Sequence, residues 1–181
     1  ADTVYLGCWP RRTFERFGGF DETLVRNQDD EHNLRITKGG GRVWQSSRIR
    51  SVYRPRSTLS KVFRQYLQYG YWKPFVMKKH GQAASLRHAV PGLFVAALIV
   101  CAVVSPWIAW PWTALVSAYA AAVAAMTVSV ASSRKTDWRT TLCVPAVIAA
   151  YHVGYGIGSI FGAWDALRLE HGRERFSKLT R

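Results

Sequence analysis

The sequence predicts a mixed α/β unit followed by an α-helical membrane region, and three observations predict it. Charge is segregated: the first 90 residues hold most of the 25 Lys and Arg and of the 11 Asp and Glu, whereas from Val90 to Trp164 the charged side chains are Arg134, Lys135, Asp137 and Arg139. The rest of that second half is Ala, Val, Ile, Leu, Trp and Gly, in runs long enough to cross a bilayer. The first 55 residues instead alternate short β-type and helical runs punctuated by glycine. Halves this different argue against one soluble core.

Taken in order, residues 3–7 (TVYLG) are a β-type run that ends at glycine and passes into the turn-like Cys8-Trp9-Pro10. The polar stretch 11–17 reads as a short helix. Gly18-Gly19-Phe20-Asp21-Glu22 breaks the chain, and a second helix is predicted from about Asn27 to Lys38, because Gly39-Gly40-Gly41 supplies the glycine that ends helices. Residues 42–46 and 49–53 are β-like, with Val43, Trp44, Ile49, Val52 and Tyr53 as strand formers. These elements make up the first unit, 1–57.

Over 58–90, Leu59, Val62, Phe63, Tyr66, Leu67 and Gly70 recur at three- and four-residue steps, with Lys61, Arg64, Gln65 and Gln68 between them. That is the period of an amphipathic helix. It runs into Pro74 and the basic Lys78-Lys79-His80, and aromatic residues beside cations suit the membrane interface. Packing onto the preceding unit explains the same pattern, and the two are compatible. Three membrane helices follow, at 91–110, 111–131 and 142–164, the first two joined by a Trp-rich turn that fits an interfacial aromatic belt. In the third, Gly154, Gly158 and Gly162 have the small-xxx-small spacing that lets helices approach closely. His152 in that segment is explained by an interhelical hydrogen bond, a functional polar site being the alternative. A basic tail, 165–181, ends the chain. With the first unit cytoplasmic, three spans put Arg134, Lys135 and Arg139 inside, as the positive-inside rule prefers, and the tail outside, against it.

A net charge of +14 is the usual mark of a nucleic-acid binder, but no nucleic-acid motif accompanies it. The cations of the first half are read instead as facing anionic headgroups and a phosphate-bearing substrate. Cys8, Cys101 and Cys143 lack the spacing of a disulfide framework or a zinc site and read as small hydrophobes. Ala1 is no initiator and nothing near it has the order of a signal peptide, so further sequence is expected upstream.

The stretch that carries chemistry is 18–35, GGFDETLVRNQDDEHNLR, where Asp21, Glu22, Asp29, Asp30 and Glu31 crowd a loop-to-helix junction. Acids in a first helical turn are favoured by the helix dipole, which explains their presence without a function. The whole pattern goes further. A Gly-Gly-Phe-Asp-Glu turn, a spacer, then Gln28-Asp29-Asp30-Glu31 and Leu34-Arg35 resembles the acceptor-side half of family-2 glycosyltransferases of GT-A fold, in particular the membrane-attached enzymes of exopolysaccharide assembly, the succinoglycan type among them. The resemblance covers residues 1 to about 90 and implies that 1–57 is the C-terminal part of a GT-A nucleotide-diphospho-sugar transferase domain. It places Asp29 at the catalytic base, Glu31 at the second acid, and Asp21 and Arg35 on the acceptor side. Gln28 stands where Glu is more common.

A second element, from Arg64 to Lys73, is similar to the Q-x-x-R-W of polysaccharide-making members: Gln65 matches Gln, Tyr69 stands for Trp, and Gln68 replaces Arg. Gln65, Gln68, Tyr69, Trp72, Arg56 and Arg64 are therefore candidates for a phosphate or acceptor channel, with Arg54 and Lys73 as other possible sources of the missing cation and Tyr66 as a stacking surface. Any one of these arginines taken alone is explained as a solvated charge.

The chemistry agrees with that pattern. Inverting transfer needs one carboxylate to take the acceptor hydroxyl's proton as oxygen attacks the anomeric carbon, and the departing nucleoside diphosphate needs a cation rather than an acid. The resemblance implies a divalent metal, Mg or Mn, whose ligands lie upstream; none is assigned here, and the chain alone is expected to be inactive. It implies a nucleotide-sugar donor, a lipid-linked or polysaccharide acceptor, membrane lipids and no nucleic acid as partners. The location implied is a multi-pass cell-membrane protein with its catalytic part cytoplasmic. The alternative is a non-catalytic membrane scaffold or a polysaccharide assembly or transport subunit.

Overall fold

The computed structural model describes residues 7–81, 88–132, 137–168, 172–173 and 176. Six helices follow one another: α1 (Arg11–Phe17), α2 (Gln28–Lys38), α3 (Leu59–His80), α4 (Val90–Val104), α5 (Trp110–Ala131) and α6 (Trp138–Arg168). Among the described residues there is no strand, which corrects the predicted α/β class and the GT-A sheet that the resemblance implied. Residues 42–46 and 49–53 run as irregular chain, with Trp44 85%, Ile49 78% and Val52 90% exposed. Strand formers make a strand only when their backbone groups find a ladder partner and their side chains a surface to cover, and among the described residues no such ladder forms here. Of the predicted run 3–7, residues 3–6 lie outside the described residues.

Local signals set the helix ends. Gly18 takes up φ 79° where α1 stops. Asn27, one of the few non-glycine types that tolerate a left-handed backbone, sits at φ 63° just before α2. The first turn of α2 holds Asp29, Asp30 and Glu31 and its last turn Arg35 and Lys38, the order that the helix dipole favours. Thr58 caps α3 by accepting from Lys61 N. This helix continues through Pro74 to Gly81. A proline inside a helix costs about 3 kcal/mol, and here the turn it belongs to is buried: Tyr71, Trp72, Phe75 and Val76 form the core with Leu24, Ala166 and Phe176.

The amphipathic helix thus has a partner in the third apolar segment. Along α6, Gly154, Gly158 and Gly162 lie against Phe63, Leu67 and Tyr71 of α3 at a constant offset, so the two helices run in parallel. Gly70 faces back onto Tyr155 and Ser159. A Cβ on Gly158 would overlap Leu67 O and Tyr71 N, which are backbone atoms. Gly158→Leu is therefore expected to destabilise by about 1–3 kcal/mol or more, and Gly158→Ala in the same direction, read as a lowered thermal transition of the detergent-purified protein. A second face of α6 packs Gly156 onto Pro91 and Val95 of α4.

Among the described residues two helices, α5 and α6, are long and apolar enough to cross a membrane; α4, with 15 residues, is shorter. The stretch predicted to span at 91–110 is helical only to Val104, before Pro106. Only 6% of the apolar window of α5 is buried within the chain, so its Ala, Val and Met side chains face outward, as lipid contact requires. Trp107 and Trp110 are 78% and 71% exposed at the α4–α5 turn. His152 Nδ1 lies 3.2 Å from the Tyr119 hydroxyl, the interhelical hydrogen bond expected of it.

Candidate functional site

The Gly18-Gly19 turn and α2 are joined by one side chain. The Arg35 guanidinium donates to Phe17 O at 2.6 Å and Gly19 O at 2.8 Å, and on its other edge to Glu31, with Nε–Oε1 3.1 Å and Nη2–Oε2 2.6 Å. Its planar fork suits this double duty, since one edge grips a carboxylate while the other satisfies loop carbonyls. Gln28 donates to Leu24 O and Asp21 O, closing the loop over the α2 N-terminus.

Around this clamp the acids are paired from α3. Glu31 is fully buried and also accepts from Lys79 at 3.0 Å, with His80 Nε2 2.9 Å away. Burial pushes its carboxyl up, but the hydrogen bonds from Arg35, Lys79 and His80 outweigh that and hold it below the usual carboxylate range. Lys79 bridges to Asp21 at 2.6 Å. Burial again opposes ionisation of Asp21, yet Lys79 and Thr23 together bring its pKa down to about 2. Asp30 pairs at 2.8 Å with Lys73, which is 3% exposed.

Asp29 is different. Its side chain has no ion pair among the described residues, and it stands exposed at the start of α2. Crowding by surrounding protein pushes its pKa up, and the adjacent charge of Asp30 adds to this. Of the four acids at positions 21, 29, 30 and 31, three are neutralised by cations and one is left able to accept a proton.

The Asp21–Lys79 pair has a testable pH signature. Because the folded pKa of Asp21 is depressed, its contribution is complete above the ordinary value of 3.8 and is lost as pH falls through about 2. The gap in thermal transition between the parent and Asp21→Asn is expected to be present at pH 7 and to close as pH is lowered towards 2.

On α3 the candidate channel residues divide. Gln68 and Trp72 are buried, and both donate to Phe176 O at 3.2 Å. Phe176 stacks on Tyr71 at 3.9 Å, and Tyr71 donates to the buried Asp165, which also pairs with Arg173. Gly172, Arg173 and Phe176 therefore hold down the α3 face that carries Trp72. Gln65 donates to the Tyr69 hydroxyl at 3.0 Å, and Tyr66 stacks on Tyr151 at 4.1 Å. Arg54 and Arg64 are exposed, Arg56 is half-buried, and Lys73 is engaged by Asp30.

Sequence reasoning passed over Arg26. Its Nε and Nη2 both reach Gln68 Oε1 at 3.2 Å and its guanidinium lies 5.6 Å from the Tyr69 ring centre. Burial lowers its proton affinity, and the charge of Arg56 does so further while the Tyr69 hydroxyl opposes it. The Gln at 68 is the signal: an amide oxygen at a position where the resemblance implies a guanidinium can receive one from elsewhere, and Arg26 is the cation in the spacer between GGFDE and Gln28. Lys79 and His80 were missed similarly, as a basic helix end rather than as partners of Glu31. His32, stacked on Phe14 and edged by Trp9 and Phe20, is fully buried and serves packing. No three His, Cys, Asp or Glu side chains converge as a metal-ligand set among the described residues.

The chain is similar to the succinoglycan biosynthesis protein ExoA of Rhizobium meliloti (strain 1021), with 30% identity over 145 residues, which are 80% of this chain and 43% of that protein. It thus spans less than half the length of that relative. No family model matches the chain, and no solved structure matches it significantly.

Proposed function

We propose that this chain is part of a membrane-associated glycosyltransferase of exopolysaccharide assembly, which moves a sugar from a nucleotide-sugar donor to a lipid-linked or polysaccharide acceptor with inversion. The similarity to a succinoglycan biosynthesis protein supports the broad class. The observation that supports the residue assignment is the unequal treatment of the acids: Asp29 has a raised pKa and no ion pair among the described residues, beside three carboxylates held by Lys73, Lys79 and Arg35.

In this reading Asp29 takes the proton of the acceptor hydroxyl as that oxygen bonds to the anomeric carbon, and the bond to the nucleoside diphosphate breaks on the opposite face. Glu31 and Arg35 hold the GGFDE turn to α2 and so fix the position of the base. Arg26 and Arg56 supply positive charge beside Tyr69 for the phosphates, the task that Gln68 leaves open. The enzyme works at the cytoplasmic face of the cell membrane, anchored by α5 and α6.

The test is a transfer assay on membranes containing the full-length protein, with a panel of labelled nucleotide sugars. Label is expected in the lipid-extractable or polymeric fraction for at least one donor. Correctly inserted protein that incorporates none of them, with acceptor lipid supplied, overturns the reading.

A further inference from the structure

We propose that Asp165 and the residues it anchors beyond α6, Arg173 and Phe176, are positioning residues that aim the Arg26 guanidinium through the Gln68 amide. Asp165 is a buried acid to which the transfer step gives no task, 2% exposed near the end of α6. Its two oxygens accept separately, Oδ2 from the Tyr71 hydroxyl at 2.9 Å and Oδ1 from Arg173 Nη2 at 2.8 Å. Arg173 N in turn donates to the Tyr71 hydroxyl at 2.9 Å. A carboxylate this deep persists only with such partners, and the partners it takes fix where Arg173 lies against α3.

From Arg173 the hold passes to Gln68. Phe176 N donates to Arg173 O at 3.0 Å and the Phe176 ring stacks on Tyr71, so the Phe176 carbonyl is held over α3. That oxygen accepts from Gln68 Nε2 and from Trp72 Nε1, four residues apart on one face of the helix. A carbonyl can only accept, so the buried Gln68 amide must turn its NH2 towards Phe176 and its oxygen away. Nε and Nη2 of Arg26 both reach that oxygen, at 3.2 Å, and the two-pronged contact sets the plane of the guanidinium as well as its place. The base of the arginine is fixed separately, because the neighbouring Asn27 donates to Tyr69 O at 3.1 Å. A reversed amide would present its NH2 to the cation and repel it. The Phe176 carbonyl therefore sets which way Gln68 faces, and Asp165 sets where that carbonyl sits.

The assignment rests on the reading above, in which Arg26 meets the donor phosphates, and the probe is pyrophosphate. The experiment is calorimetric titration of the detergent-purified full-length protein with pyrophosphate in the presence of magnesium. Arg26→Gln is expected to weaken binding about tenfold or more, the worth of a charge-assisted hydrogen bond. Asp165→Asn keeps the size of the side chain and loses the charge that holds Arg173; it is expected to weaken binding about three- to tenfold, and Gln68→Met likewise. In an Arg26→Gln background neither change should weaken binding further, because both act through the same guanidinium. A brace that only stabilises the fold gives another pattern, in which the thermal transition falls and affinity per folded molecule stays at the parental value. Should Asp165→Asn fail to insert, Phe176→Leu removes the stack on Tyr71 without touching a charge and gives the same readout. Parental affinity in Gln68→Met, losses that add to that of Arg26→Gln, or binding that Arg26→Gln leaves intact would each overturn the proposal. Coupled pyrophosphate binding without sugar transfer from any donor would instead remove the enzymatic reading and leave the positioning of Arg26 standing.

Discussion

Asp29→Asn in the full-length protein is expected to lower transfer turnover by about 10²–10⁴-fold, the range that a positioned general base contributes. Asn keeps the size and the polar edge of the side chain but cannot take a proton. It touches no ion pair among the described residues, because Asp30–Lys73, Asp21–Lys79 and Glu31–Arg35 all lie on other side chains. Expression, membrane insertion and thermal transition should therefore match the parent, and the whole loss should fall on kcat. The pH profile provides a second, independent readout. The base must be ionised, and its pKa is raised by crowding and by Asp30, so activity is expected to fall as pH drops through a value above the ordinary 3.8. Asp30→Asn removes that neighbouring charge and leaves Lys73 nearby to favour the ionised form, so the acid limb should shift to lower pH. Near-normal turnover of Asp29→Asn, or an acid limb that Asp30→Asn does not move, removes Asp29 from the role of base.

Why the sequence led to Asp29 and yet misjudged its surroundings follows from which signals are local. Helix boundaries are local: glycine and asparagine at positions such as Gly18, Asn27 and Gly81 encode backbone angles that few other residues adopt, and α1 and α3 stop, and α2 starts, beside them. The glycine repeat of α6 is also local, since its four-residue spacing puts Gly154, Gly158 and Gly162 on one face, although the sequence did not reveal that α3 would occupy that face. A strand is not local. Residues 42–46 and 49–53 carry strand-forming side chains, but a ladder needs a second segment, and among the described residues no strand forms. Ion pairing across 40 or more residues is equally invisible. Lys79 and His80 read as cations for headgroups because they end an amphipathic helix, and only the crossing of α3 past α2 turns them onto Glu31. The same crossing brings Gln68 to Arg26.

Glu31, which the resemblance places at the second acid, is expected to matter differently. Glu31→Gln should destabilise the fold by about 3–5 kcal/mol, because removing the buried carboxylate takes from Arg35 its counter-ion and leaves a desolvated charge network without its shared acid. Arg35, Lys79 and His80 all lean on this carboxylate. Lys79 is partly exposed and can turn to water, which places the effect towards the lower end of that range. The dependence on pH has a definite sign. Glu31 is held below its ordinary value of 4.5, so its stabilisation is complete above that value and is lost as pH falls through the lower, folded one. The deficit of Glu31→Gln should accordingly be full at pH 7 and shrink in acid, measured by thermal denaturation in detergent. Replacing Arg35 as well, in Glu31→Gln/Arg35→Met, should cost less than the two single changes added together, since each single change already breaks the same pair. The separation from Asp29 is then kinetic: turnover per folded molecule at low temperature should stay within about tenfold of the parent in Glu31→Gln, against the 10²–10⁴-fold loss in Asp29→Asn. A Glu31→Gln protein of parental stability with turnover as low as that of Asp29→Asn would show the buried carboxylate to be part of the reaction rather than the brace behind it.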